Sequence, residues 1–117
     1  MRNFAWRSGR ADVEMRVDLK TAGDSFPGTL KSIGVGGLFV ATDGSFHVGE
    51  RLAVRFTLSE LDHSISVSAE VRWIREGQGR ASGMGLRFVR LPLVSAVAIQ
   101  EFLRKLDEDL TPSWPST

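Results

Sequence analysis

Cysteine and tyrosine are both absent from the 117 residues, and there are only two histidines and four prolines. Without cysteine there can be no disulfide, thiolate nucleophile or thiolate metal site, which suits a reducing compartment and makes a cytoplasmic location the expectation. His47 and His63 stand apart from any Asp, Ser or Cys constellation, and no phosphate-loop signature occurs. Catalysis, a metal and a bound cofactor are therefore not expected. No apolar run approaches the roughly 18 residues of a membrane span. Arg2, Arg7 and Arg10 interrupt the N-terminal stretch where a signal peptide would need an apolar core. Neither sign of charge is in excess: 15 Lys and Arg against 14 Asp and Glu leave a net +1. That balance exerts no global pull toward nucleic acid.

What remains is ordinary for one globular domain: 42% apolar and 25% charged residues, on a chain long enough for a single core. Residues 1–10 read as a basic arm, with Phe4 and Trp6 to tie it down. Ala11, Val13, Met15, Val17 and Leu19 then alternate with polar residues, the period of a half-buried strand. A turn at Thr21–Ser25 precedes a second strand from Phe26 to Ile33, and Leu38–Ala41 is a short buried strand stopped by Asp43-Gly44. Leu52, Val54, Phe56 and Leu58 alternate, as do Ile65, Val67, Ala69, Val71 and Trp73, which places Trp73 on the inward face. Polar turns are expected at Ser59–His63 and Glu76–Gly79, and Met84, Leu86 and Phe88 mark a returning strand.

After Pro92, apolar residues recur at helical spacing from Leu93 to Leu110, and Thr111-Pro112 closes the pattern before a tail over 111–117. The acidic run Asp107-Glu108-Asp109 opposes the helix dipole if the helix reaches it. Either the helix ends before it or a basic partner compensates; the first is simpler. Short strands with turns, then one helix, predict an all-β domain over 11–110: a six-stranded antiparallel barrel capped by one C-terminal α-helix.

Three glycines crowd Gly34-Val35-Gly36-Gly37 between two apolar runs. Glycine reaches backbone angles closed to other residues and admits close approach of another chain or a ligand. The run Gly36-Gly37-Leu38-Phe39-Val40, with Val48-Gly49-Glu50, Val71-Arg72-Trp73 and Gly83-Met84-Gly85-Leu86-Arg87-Phe88 in this order, resembles the PilZ family of bacterial cyclic di-GMP receptor domains. More narrowly it is similar to the PilZ-like group of Myxococcus and related delta-proteobacteria. The resemblance covers about Trp6 to Leu106 and implies a PilZ-type barrel with cyclic di-GMP as the ligand.

The family's first ligand motif, RxxxR, precedes the first strand. Here it reads Trp6-Arg7-Ser8-Gly9-Arg10: Arg10 matches the second arginine, Trp6 takes the first position and Arg7 is displaced by one. The second motif, [D/N]xSxxG, aligns with Ser32-Ile33-Gly34-Val35-Gly36-Gly37, where Ser32 replaces the acid or amide, Gly34 replaces the serine and only Gly37 is kept. Each lost base-edge contact is worth about 1–3 kcal/mol. The resemblance therefore implies a regulatory, motility-type signalling domain that acts by binding another protein, with nucleotide binding weak or absent. The alternative is a genuine receptor binding through Trp6, Arg7, Arg10 and the Ser32–Gly37 loop, including Gly34 and Gly36. The glycines equally suit a tight barrel corner.

The helix carries more apolar residues than one stripe needs, so Ile99, Leu103, Leu106 and Leu110 form either part of the cap or a seam for a partner or a second copy. The protein partner is not named by the sequence. Nucleic acid is not expected, because stacking aromatics are few outside the predicted core.

Overall fold

Alternation of apolar and polar residues sets which face of each strand turns inward, and six such strands close on themselves. A computed structural model of the chain describes residues 10–58, 63–76 and 82–110. The strands are β1 (Arg10–Lys20), β2 (Ser25–Gly34), β3 (Gly37–Thr42), β4 (Arg51–Leu58), β5 (His63–Arg75) and β6 (Ser82–Arg90), followed by helix α1 (Leu93–Leu110). All neighbours are antiparallel, and the closed order is β1-β2-β3-β6-β5-β4, the expected six-stranded barrel with one C-terminal helix. The arm and tail expected at 1–9 and 111–117 lie outside the described residues, as do the turns at 59–62 and 77–81. Arg10, expected to close the arm, is instead the first residue of β1.

β4 shows the rule most plainly: Leu52, Val54, Phe56 and Leu58 are buried while Arg51, Ala53, Arg55 and Thr57 face out. With Val17, Leu19, Leu30, Ile33, Val40, Ile65 and Leu86 they fill the barrel interior, as side chains must in a barrel this small. Each such burial stabilises the fold by about 1.5–3 kcal/mol. Among the described residues no helix is long and apolar enough to cross a membrane.

The helix fits the cap reading at Ile99 and departs from expectation once, at its C-terminal end. Ser95, Ala98, Ile99 and Phe102 form the buried stripe, and Ile99 is 0% exposed, so it cannot serve a partner seam. Leu103 and Leu106 are half-buried against the same core, and the side chain of Leu110 is outside those described. The exposed apolar residues lie on the opposite side of the first two turns: Leu93, Val94 and Val97. Helical spacing showed more apolar residues than one stripe needs; docking against β1 and β2 decided which of them are covered. The helix also runs on through Asp107-Glu108-Asp109 to Leu110, with no basic residue in its last turn, rather than ending before the acidic run.

Among the described residues, glycine's conformational freedom is used in one place. Among the described glycines only Gly49 has a positive φ, 95°, where the chain turns into β4 and its N–H donates to the Val71 carbonyl at 2.8 Å. Gly37 is needed for space instead. A Cβ there would lie 2.0 Å from the Leu86 carbonyl oxygen on β6, whereas one at Gly36 would meet nothing within 4 Å. Gly37→Ala is therefore expected to cost about 2–3 kcal/mol through forced backbone separation, and Gly36→Ala less than about 0.5 kcal/mol. Urea unfolding midpoints of the two variants check the contrast.

Candidate functional site

The two motif remnants meet because β1 and β2 pair at this end of the barrel, with Arg10 opposite Gly34 and Asp12 opposite Ser32. Arg10 donates to the Ser32 hydroxyl oxygen twice, from Nη2 at 2.8 Å and from Nε at 3.2 Å. Arg10 is part-buried, and this burial pushes its pKa below the ordinary arginine value while Asp12 pulls it back up. It remains a cation at neutral pH, because a guanidinium does not lose its proton within a protein. Gly34 is buried at the end of β2, Gly36 is exposed in the turn, and Gly37 is buried at the head of β3. Trp6 and Arg7 lie outside the described residues.

Beside this pair opens a shallow cleft of about 730 Å³ on the outer face of β3, β6 and β5. Its lining carries five cations, Arg10, Lys31, Arg72, Arg75 and Arg87, against one carboxylate, Asp12. Two of these are tied to carboxylates just outside it: Lys31 to Glu14 at 3.2 Å and Arg87 to Glu70 at 3.6 Å. The first pair is exposed and the second is half-buried on its Glu70 side, and such surface pairs contribute little to stability. The cleft floor is aromatic. The rings of Phe39 and Trp73 stack with centroids 5.3 Å apart and planes 17° from parallel, and the Arg75 guanidinium sits 4.9 Å from the Phe39 centroid.

Trp73 thus faces outward, 49% exposed, and the inward placement expected from alternation is wrong. The cause is a register shift: Val71 pairs with Leu86 and Trp73 with Gly85, so Arg72 is an extra residue on β5. Beyond this bulge the phase inverts, and Ile74 turns toward the core in place of Trp73. A second shift, between Leu30 and Ser32, makes Lys31 the extra residue on β2, and a third lies between Asp12 and Met15 on β1. All three flank the cleft.

Glycines on β6 make room for the rings. Phe39 and Trp73 are both cross-strand partners of Gly85, and a Cβ there would lie 2.1 Å from the Trp73 indole nitrogen. One at Gly83 would lie 2.4 Å from the Phe39 ring. The sequence reading missed Phe39, Trp73, Arg72 and Arg75. The available signal was Gly83-Met84-Gly85, two glycines on one strand face, which leave a bare outward strip for large neighbours. With these rings outside the core, the aromatic shortage that counted against nucleic acid does not hold at this cleft. The arrangement suits a flat or anionic group held by stacking and by guanidinium contacts.

The family model for the PilZ domain matches residues 2–105. No curated protein matches the chain. Among solved structures, the Bacillus subtilis inhibitor of motility MotI (DgrA) aligns at 23% identity and TM-score 0.75, covering 87% of this chain and 50% of its own. The PilZ domain of Escherichia coli YcgR, solved with cyclic di-GMP, aligns at 14% identity and TM-score 0.71, covering 86% and 89%. The PilZ domain of CeSA from a cellulose-synthesizing bacterium aligns at 15% and 0.61, covering 84% and 97%. The chain therefore spans about half the length of MotI. At these identities the likeness is one of fold.

The ring stack makes its own prediction. In a Trp6→Phe, Trp114→Phe background, where Trp73 is the remaining indole, Gly85→Ala should lift the indole off Phe39. The expected result is a shifted emission maximum and a loss of about 1 kcal/mol in urea unfolding. An unchanged emission maximum would contradict the stack.

Proposed function

The chain belongs to the PilZ domain family, whose members are regulatory binding domains, and we propose that it is a cytoplasmic signalling module that acts mainly by binding another protein. In this reading cyclic di-GMP binds weakly or not at all. The observation that carries it is the Arg10–Ser32 contact. A serine hydroxyl has two acceptor lone pairs, and both N–H groups that Arg10 directs at Ser32 Oγ are within 3.2 Å. Where the family's loop presents an acid or amide to a guanine edge, this chain presents an oxygen already taken. Gly34, at the serine position, supplies no side chain at all. Two lost base-edge contacts at about 1–3 kcal/mol each weaken binding by roughly one to four decades.

A specific observation favours a second reading. Five cations around an aromatic floor suit a dinucleotide with two phosphates and stacking bases, so Arg10 and the Ser32–Gly37 loop would hold cyclic di-GMP through a rewritten site. MotI and YcgR, a motility inhibitor and a cyclic di-GMP complex by their own descriptions, support placing the chain in that signalling context under either reading.

Calorimetric titration with cyclic di-GMP, against GMP as control, separates the two. The expected result is no saturable heat in the micromolar range for the natural chain, and measurable binding once Ser32→Asn restores an amide acceptor. Micromolar binding by the natural chain that disappears in Arg10→Ala would establish the second reading instead.

A further inference from the structure

A second basic surface lies on the outer face away from the Arg10–Ser32 cleft, where the end of β1, the start of β4, the middle of β5 and the end of β6 come together. Register places four residues in one row across these strands: Lys20 opposite Ala53, Ala53 opposite Ser68, and Ser68 opposite Arg90. All four are exposed. The middle of the row is low, because Ala53 and Ser68 are small. Its ends carry Lys20 and Arg90, and Arg51 stands two residues from Ala53 on the same face of β4. The depression measures about 440 Å³, and no carboxylate lines it.

Arg90 faces this row only because of another register shift. Ser68 pairs with Arg90 and Ala69 with Phe88, so Val89 is an extra residue on β6. Simple alternation after buried Phe88 would send Arg90 inward; the bulge turns both Val89 and Arg90 out. Two of the nearby carboxylates are engaged with other cations: Glu70, the cross-strand neighbour of Arg51, sits 3.6 Å from Arg87, and Asp18 sits 3.5 Å from Arg16; Asp24, in the turn after Lys20, does not line the depression. Lys20, Arg51 and Arg90 form no ion pair among the described residues. In a chain of net charge +1, this is local segregation of charge.

We propose that this row is a docking groove for an extended acidic segment of a partner protein. The inference rests on the reading of the chain as a protein-binding module and adds where the partner sits and what chemistry it brings. The row spans three strand spacings, roughly 14 Å, the length of about four extended residues. A cation at each end and one beside the floor match carboxylates spaced along such a segment. Val89, 37% exposed at the rim, offers an apolar contact. The lining holds no aromatic ring, so a single-stranded nucleic acid, which binds through base stacking as well as phosphate contacts, finds only half of what it needs.

The test is fluorescence anisotropy at low salt, using the full chain and a labelled peptide of alternating glutamate and glycine. An oligothymidylate of matched charge is the competitor. Lys20→Glu with Arg90→Glu should weaken peptide binding by about tenfold or more, while Arg104→Gln on the helix leaves it unchanged. Should the double reversal fail to fold, Lys20→Gln with Arg90→Gln is used, with a loss of about threefold or more expected. Peptide binding that survives these changes in a folded variant overturns the groove, as does oligothymidylate binding as tightly as the peptide. Tight cyclic di-GMP binding at Arg10 would overturn the adaptor reading instead, and the peptide result would still decide the groove.

Discussion

The barrel depends on how closely β3 can lie against β6. The chain makes two three-stranded meanders, β1-β2-β3 and β4-β5-β6, and these must be joined along two seams. One, between β1 and β4, pairs only over Asp18–Lys20. The other runs the length of β3, from Gly37 opposite Arg87 to Thr42 opposite Ser82, and holds the meanders together. Gly37 opens it with its backbone against the Leu86 carbonyl, an approach that any side chain would block. Hydrogen-bonded pairing, the buried ladder of Leu38, Val40, Met84 and Leu86, and the position of the outer cleft all follow from that approach.

Around this seam the sheet departs from simple alternation where function is expected to reside. A bulge inserts one unpaired residue and inverts the inside–outside phase beyond it. Lys31, Arg72 and Val89 are such residues. The first two bring cations to the cleft and expose Trp73; the third turns Arg90 onto the opposite end of the sheet face. Both basic surfaces are thus built by register shifts rather than by flexible loops, which keeps their side chains on hydrogen-bonded backbone.

Within the cleft, the contact between Arg10 and Ser32 alters what the family's motif positions can do. An arginine free to reach a ligand and an acceptor free to meet a base edge would be two separate assets. Here each occupies the other, and burial further holds the guanidinium in place. The cleft carries positive charge and a ring stack, a combination that suits anions and flat groups in general, and under the proposed reading it lacks the directed hydrogen bonds that choose a guanine. Such a surface is suited to protein contact, where charge and shape act over many weak interactions.

Much of this was legible in the residues. Period-two alternation in β1, β4 and β5, the turn residues between strands and the helical spacing after Pro92 determined the elements and most of the core, because burial on one face is a local property of a strand or helix. The family resemblance located Arg10 and the Ser32–Gly37 loop. What the tertiary structure decided depends on partners distant in sequence. The bulge at Arg72 moved Trp73 from the expected core to the surface, and Gly85 on another strand made room for it. Docking against the barrel buried Ile99 and left Leu93, Val94 and Val97 exposed, although all lie on one apolar helix. Lys20, Arg51 and Arg90 are spread over most of the chain and share a surface only because the barrel closes. Alternation can be read along one strand; register, docking and closure are relations between strands, and only the folded molecule contains them.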